Sequence, residues 1–472
     1  MFSSWSKERP ILNEMEASPS QPAQFEHKKL NKFQALAAFS PDALASIGYA
    51  DQEIYLGLVI AGSIGLAYAL PIAFAITGLL AVLAVSYYQI IQKYPSGGGS
   101  YEVARKTLGT IPGLIAAAAL IVNYLLNVGV SLTTGVDAIA SAFPVLWPHK
   151  VIISLLFLGA ITLLNLRGMR ESGIVMAIPV YIFLFAYLPM LGYGGLRLSL
   201  SGPASLAVTA PRAIQPLTVA LLLHTFSTGC TAMTGVEAIS NGVPSFRSPE
   251  SKNAGQTMII MALLMGTLFL GSIGLIQSLA IIAGPQETIL SALARYLLGS
   301  GPAYLIIQAS TTILLTVGAN TSFAGLPRLM SVMAGDGFLP KQLTKLSSRS
   351  VHANGILLLA ASSAVLIVLF SGSSHALIPL FAVGVFLAWT LSQTGMVIHW
   401  RRERSKGWKL KALLNATGAL ATGVTFVIVG ASKFFDGAWI AVLLIPILVA
   451  LFLQVRSRQK EVEAPYEALG AH

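Results

Sequence analysis

Two pairs of polar residues stand in runs that are otherwise apolar, small or hydroxyl-bearing. Asp42 and Tyr49 lie seven residues apart in a run with one proline, one glycine and two serines, and Thr234 and Glu237 lie three residues apart in a run with three glycines. A carboxylate at the centre of a bilayer costs about 2.5–3.5 kcal/mol on insertion scales, so it normally faces a cavity or a partner. These residues are therefore the first candidates for a polar site inside a membrane.

The chemistry that suits such groups is the binding of a small cation. Carboxylate and hydroxyl oxygens, together with the backbone groups of an unwound helix, can replace the hydration shell of an ion. Asn123 and Asn127 are spaced four residues apart and share a helix face. A structural account stays open beside this one, because small residues in membrane helices usually serve close packing and the two asparagines could form interhelical hydrogen bonds.

The composition indicates which elements hold these residues. Of 472 residues, 55% are hydrophobic and 10% are charged, whereas about 25% are charged in a typical soluble domain. A soluble enzyme, a disordered chain and a secreted disulfide scaffold are excluded, the last because Cys230 is the single cysteine. The net charge of +11 is interpreted as the Lys/Arg excess of cytoplasmic loops rather than as a surface for nucleic acid.

The hydropathy pattern predicts an all-α polytopic membrane protein with about twelve transmembrane helices. A span needs about 20 apolar residues to cross the hydrocarbon layer. The predicted spans, numbered 1 to 12 in chain order, are 33–62, 66–91, 112–140, 151–166, 173–196, 216–240, 258–282, 302–323, 356–370, 376–399, 413–429 and 439–453. Two further helices, 100–108 and 286–298, are too polar to span, so we expect them to lie along the membrane or to cap the bundle.

The distribution of Lys and Arg predicts the orientation. With the N-terminus inside, 25 of these residues fall on the cytoplasmic side and 5 on the other, as the positive-inside rule requires. We therefore expect a multi-pass protein of the plasma membrane with cytoplasmic tails at 1–29 and 454–472.

The two polar runs lie in spans 1 and 6, which are five spans apart. Because five is odd, the second unit enters the membrane in the opposite sense, which is typical of an inverted repeat with broken helices meeting at the midplane. The expected repeats are 30–199 and 200–405, followed by spans 11 and 12 at 406–453. We expect the helices to be broken near 45–49 and 232–235.

Signatures of other functional classes are missing from the sequence. It contains no H-E-x-x-H, no G-x-S-x-G and no Gly-Lys pair that a phosphate-binding loop would need,. We therefore expect no enzyme activity and no cofactor, and transport driven by an ion gradient. A channel would show a repeated pore loop, and a sensor would carry a soluble signalling domain.

Several motifs resemble those of the amino acid–polyamine–organocation (APC) superfamily, which implies a five-plus-five inverted repeat. They are 94–101 (YPSGGGSY), 235–238 (GVEA), 327–330 (PRLM) and 335–340 (GDGFLP). Within it, the run around Asp42 is most similar to KimA-type proton-coupled potassium importers. That resemblance implies a potassium site formed by Asp42, Tyr49, Thr234 and Glu237.

The chain departs from this branch at three positions. Asn123 and Asn127 stand where the branch has an acid and a threonine, and Phe381 stands where it has a tyrosine. The loss of one carboxylate lowers the negative charge of the cavity, and an asparagine adds an N–H₂ donor that also suits an amine. The branch has a cytoplasmic regulatory domain after its last span. We do not expect that regulation here, because few residues follow span 12.

These observations predict a secondary transporter that imports a small cation, potassium first, together with a proton. Asp42, Tyr49, Asn123, Asn127, Thr234 and Phe381 are the expected substrate-binding residues, and Glu237 is the expected proton-coupling acid. The alternative is an amino-acid or amine permease of the same superfamily. The expected partners are the substrate, protons and the lipid bilayer, with no nucleic acid, and a homodimer stays open.

Overall fold

The computed structural model is entirely helical in the part of the chain that it describes, which comprises residues 29–97, 99–168, 173–340, 343 and 353–469. The predicted N-terminal tail lies almost wholly outside these residues, as does Gly98 of the 94–101 motif. Ten helices are long and apolar enough to cross a membrane: Gly62–Lys93, Thr110–Ala142, Pro144–Leu166, Ala177–Ser201, Val219–Asn241, Glu250–Ser278, Pro302–Gly335, Ser374–Glu403, Trp408–Ser432 and Trp439–Gln459.

These ten helices correspond to predicted spans 2–8 and 10–12. Span 9 is the shorter apolar helix Ala353–Leu369. Span 1 consists of two helices, Lys32–Phe39 and Pro41–Val59. It is not among the ten long apolar helices, and it contains the charged residues Asp42, Asp51 and Glu53. The prediction of an all-helical polytopic protein is therefore confirmed. Span 12 continues as a helix to Leu469, well beyond the predicted end at residue 453.

The two short helices outside the spans are also present, but the second is apolar rather than polar as predicted, and it is its length that is too short for a span. They are Gly99–Leu108, after span 2, and Ile289–Leu298, after span 7. The first buries Tyr101 and Val103 and packs against spans 3 and 10, so it caps the bundle. Short helical turns complete the connections: Leu206–Thr209, Val243–Ser245 and Phe434–Ala438.

Span 6 is interrupted in its middle, as predicted. The helix Val219–Gly229 passes into a 3₁₀ turn, Cys230–Met233, and a new short helix begins at Glu237. Between them Thr234 is extended, with φ −67° and ψ 159°, and Gly235 is left-handed, with φ +81°. A left-handed residue costs about 1–2 kcal/mol unless it is glycine, so Gly235 allows the chain to leave the helix here.

The break in span 1 lies earlier than predicted. Residues 45–49 are not unwound: they belong to the continuous helix Pro41–Val59, and the interruption is at Ser40. The physical reason is Pro41, which has no N–H to donate to the preceding turn. Ser40 itself keeps right-handed helical angles, φ −94° and ψ −8°, so the interruption is confined to one residue. The glycine at position 48 stays helical, and a Cβ there would be in ordinary contact with the side chain of Leu315 on span 8.

The backbones of the two interrupted spans touch at these breaks. A Cβ atom on Gly235 would lie 2.5 Å from the backbone nitrogen of Ala43. Nearby, the Ser46 hydroxyl lies 2.7 Å from the carbonyl oxygen of Ala232 and equally far from that of Ala43 in its own helix, so its one proton is shared between the two spans. Span 8 supports span 1 from the other side, where a Cβ on Gly318 would lie 3.3 Å from the carbonyl oxygen of Pro41.

Span 3 completes the surroundings of the breaks. It packs against spans 8 and 10, and 83% of its most apolar window is buried, the largest share among the ten long spans described. Gly384 of span 10 allows this close approach, because a Cβ there would lie 2.8 Å from the carbonyl oxygen of Ala119.

We predict that Gly235→Ala lowers the thermal stability of the purified protein. The φ angle alone costs about 1–2 kcal/mol, and the new methyl group also displaces the backbone at Ala43. Gly78→Ala in span 2 is the matched control, because nothing lies within 4 Å of the position that a Cβ would take there. Thermal unfolding in detergent measures both variants, and equal melting temperatures would show that the close approach of spans 1 and 6 is not required.

Candidate functional site

The seven residues predicted for the site are all buried, each with 8% or less of its surface exposed. Spans 1 and 6 supply two each, span 3 supplies two and span 10 supplies one. Hydrogen bonds, one ring contact and electrostatic interactions connect all seven into one cluster at the breaks: Asp42, Tyr49, Asn123, Asn127, Thr234, Glu237 and Phe381.

A hydrogen bond across the two broken spans joins Tyr49 to Thr234. The distance between their hydroxyl oxygens is 2.6 Å. The Thr234 hydroxyl also lies within donor distance of the carbonyl oxygen of Thr231, at 2.9 Å, and both bonds form together when the phenol of Tyr49 donates to Thr234. The phenol proton is thereby committed to Thr234, and the lone pairs of Tyr49 Oη remain available to a ligand.

Asp42 lies in the first turn of the helix that follows the break. An acid at this position is favoured by the positive end of the helix. The carboxyl faces Asn127 of span 3 and Thr321 of span 8, and the carboxyl of Glu237 is close enough to act on it electrostatically. The Oδ1 atom is buried and has no hydrogen-bond partner.

Glu237 opens the short helix after the break in span 6 and points toward span 3. Asn123 Nδ2 donates to Glu237 Oε1 at 3.4 Å. The indole of Trp389, on span 10, also faces this carboxyl. Neither Trp389 Nε1 nor Glu237 Oε2 has a hydrogen-bond partner, so the two groups face each other without forming a hydrogen bond.

Acceptor oxygens therefore outnumber donors in the cluster. Asp42 Oδ1, Asn123 Oδ1 and Glu237 Oε2 are all buried without a partner. A buried acceptor without a donor is costly, and a cation or an added proton supplies the missing positive charge. The arrangement can thus hold a small cation among carboxylate, amide and hydroxyl oxygens. Within the described residues, no three His, Cys, Asp or Glu side chains are grouped as a metal site would need.

Phe381 contributes an apolar wall rather than a ligand. Its ring meets the ring of Tyr49 edge to face, with the centroids 6.2 Å apart. A phenylalanine has no oxygen, so the tyrosine of the related branch has no counterpart at this position. The contact holds the Tyr49 ring against span 10 and keeps its hydroxyl directed at Thr234.

Three residues around the cluster were not predicted from the sequence. Thr321 faces Asp42, Ser322 accepts a hydrogen bond of 3.1 Å from Asn127 Nδ2, and Trp389 faces Glu237. Hydroxyl-bearing residues are common in membrane helices and a lone tryptophan usually serves packing, so these positions carry weak signals. The run of three polar residues at 320–322 in the middle of span 8 is the feature that could have revealed two of them.

Charged side chains tie the helices together at one end of the bundle. Asp336, which follows span 8, pairs with Arg105 and accepts a hydrogen bond of 2.7 Å from the hydroxyl of Tyr101. Both partners belong to the capping helix Gly99–Leu108. Burial and the neighbouring Asp336 raise the pKa of Tyr101 above its usual range, so the phenol keeps its proton.

A second set of charges ties the opposite end. At the start of span 10, His375 contacts the buried carboxyl of Glu53 on span 1, with 2.7 Å between Nδ1 and Oε1. The preceding residue, Ser374, donates a hydrogen bond of 2.9 Å to Asp137 on span 3, and Asp137 also pairs with Lys150. The cluster thus lies between two polar ties, one toward each end of the bundle.

Comparison with known proteins agrees with this architecture. The family model described as Amino acid permease matches residues 31–452. The chain is 40% identical over 438 residues to the Potassium transporter KimA of Bacillus subtilis (strain 168), covering 92% of this chain and 72% of that protein. It is 26% identical over 286 residues to the Low-affinity putrescine importer PlaP of Escherichia coli (strain K12), covering 57% of this chain and 60% of that protein.

These matches confirm the predicted resemblance to the APC superfamily and to its KimA-type members. They also agree with the prediction that the protein is a permease rather than an enzyme. With helical spans throughout its described residues and a family match over most of its length, the chain is a multi-pass membrane transporter and belongs to the amino acid permease family.

Proposed function

We propose that this transporter imports a small cation, potassium first, across the plasma membrane at the expense of a proton gradient. The observation that carries the proposal is the excess of buried acceptor oxygens at Asp42, Asn123 and Glu237. The similarity to a protein named as a potassium transporter supports the same substrate.

In this proposal Asp42, Tyr49 and Thr234 hold the substrate, and Asn123 and Asn127 contribute amide groups beside it. Oxygen atoms of these types suit a hard monovalent cation, because their lone pairs replace its water. The donation from Tyr49 to Thr234 supports this role, since it directs the phenol proton away from the ion. The wall at Phe381 limits the space beside Tyr49.

Glu237 is the proton-coupling acid in this proposal. Burial favours the neutral form of a carboxyl, and a nearby cation favours its charged form. In the loaded site the cation lies beside Asp42 while the proton stays on Glu237, so both acids are neutralised and both charges cross together. When the site opens inward, the nearby cation favours release of the proton. Proton and cation occupancy are linked in this way without any direct contact between the two species.

Alternating access would use the two polar ties on either side of the cluster. Separation of Arg105 from Asp336 would open a path from one end, and separation of His375 from Glu53 would open a path from the other. Both ties are formed in the structure, which corresponds to a closed state. The expected orientation, with both termini cytoplasmic, and the two repeats at 30–199 and 200–405 belong to the same proposal.

An amine or amino-acid permease is the second candidate. The N–H₂ donor that Asn123 directs at Glu237, which the potassium branch lacks, favours it. So does the similarity to a protein named as a putrescine importer.

The first transport prediction concerns the substrate. Vesicles that contain the purified protein should take up potassium or rubidium and not labelled amino acids. Asn123→Asp should raise the apparent potassium affinity about tenfold, which corresponds to about 1.4 kcal/mol, because it adds a carboxylate beside the unpartnered oxygens. Asn253→Asp, at the start of span 7, is the matched control for net charge and should leave affinity unchanged. Uptake of amino acids without potassium would replace this proposal with the second candidate.

The second transport prediction separates coupling from binding. Glu237→Gln should abolish proton-driven accumulation in a folded protein, because glutamine keeps the volume but cannot release a proton. Asp42→Asn should instead weaken the apparent affinity about tenfold, or about 1.4 kcal/mol, and change the pH dependence less. Uptake against pH under an imposed proton gradient measures both variants.

The matched control for this experiment is Glu102→Gln, which removes an acid that pairs with Lys106 on the capping helix. It should keep both affinity and coupling. If Glu237→Gln accumulates substrate with the wild-type pH profile, the acid is structural and coupling occurs elsewhere.

A further inference from the structure

Asp51 is a second buried acid that the proposed site does not use. It lies on span 1, nine residues after Asp42, and none of its surface is exposed. Both carboxyl oxygens lack a hydrogen-bond partner. No lysine, arginine or histidine of the described residues forms an ion pair with it. An ionised carboxylate in such surroundings would be neither paired nor hydrogen-bonded, which is strongly unfavourable.

Two hydroxyl groups from other spans lie next to this carboxyl. The Asp51 side chain faces Ser272 of span 7. The phenol of Tyr187, on span 5, is close enough to Asp51 for an electrostatic interaction. The oxygens of Tyr187 and Ser272 are 2.9 Å apart. The three residues form what we call the Asp51 cluster, which joins spans 1, 5 and 7.

The hydroxyl protons of Ser272 and Tyr187 have acceptors other than the Asp51 carboxyl. The hydroxyl of Ser272 donates to the carbonyl oxygen of Leu268 at 2.7 Å. When that bond is kept, Ser272 is the acceptor in its bond with Tyr187, and both hydroxyl protons are used. Ser272 Oγ keeps one lone pair. With both of these bonds kept, the contact between Asp51 and Ser272 becomes a hydrogen bond when Asp51 supplies the proton.

We infer that the Asp51 cluster is a second proton-binding site, at which Asp51 carries an exchangeable proton and donates it to Ser272 Oγ. A metal ion does not fit as well, because hard cations take six or more oxygen ligands and the cluster offers only the carboxylate and two hydroxyls. Movement of span 1 relative to spans 5 and 7 would break the bond and expose the acid. The participation of this proton in transport rests on the proposed function, whereas its presence does not.

The test is infrared spectroscopy of the whole protein in lipid vesicles, without any added substrate. Wild-type protein should show the C=O stretching band of a protonated carboxyl, and Asp51→Asn should remove one such band. Tyr187→Phe should shift that band without removing it, because it changes the hydrogen bonding of Ser272 and leaves the acid in place. A spectrum in which Asp51→Asn removes no band would show that Asp51 is ionised and would overturn the inference.

Exchange of the proton is measured with the same samples. Transfer into heavy water should shift the band assigned to Asp51, and an unchanged band would identify a locked structural proton instead. Under an imposed proton gradient, Asp51→Asn should alter the pH profile of potassium uptake, and an unaltered profile would exclude this proton from the cycle. If wild-type vesicles take up no potassium, the proposed function fails, yet the two infrared results still decide whether the site binds a proton.

Discussion

The approach of the Gly235 backbone to span 1 is the contact on which the rest of the structure depends. A side chain at this position would collide with the backbone nitrogen of Ala43, so the absence of a Cβ lets the two interrupted spans meet. The same left-handed residue ends the extended segment at Thr234 and lets a new helix start at Glu237. The meeting of two breaks thus places an acid from each span at one buried cluster.

The electrostatic consequence is a site that needs positive charge. Asp42 and Glu237 act on each other electrostatically, and few donors surround their oxygens. Like charges in a poorly solvated site cannot both be ionised without compensation. In the proposed function, a proton on Glu237 and a cation beside Asp42 compensate them together. This joint neutralisation of two acids gives a physical basis for the proposed coupled transport, and the Asp51 cluster adds the inferred second proton-binding acid on span 1.

Much of this arrangement follows from the sequence, because the bilayer constrains it strongly. The spans are predictable from apolar runs, since only hydrogen-bonded backbone is stable in lipid. The break in span 6 is marked by Gly235 among hydroxyls. The predicted break in span 1 is misplaced, because glycine and acid content suggest 45–49 while the missing N–H of Pro41 decides the position. The roles of Thr321, Trp389 and Asp51 depend on which spans face one another, and a single sequence contains no such information.

The central claim is that a cation lies between the two breaks. It is tested most directly by a structure of the purified protein in rubidium or thallium, whose electron density distinguishes them from water. The account predicts one strong peak bounded by Asp42, Tyr49, Thr234 and Glu237, and loss of this peak in Asp42→Asn. A well-ordered site without a peak, or density for an organic amine in its place, would contradict the account.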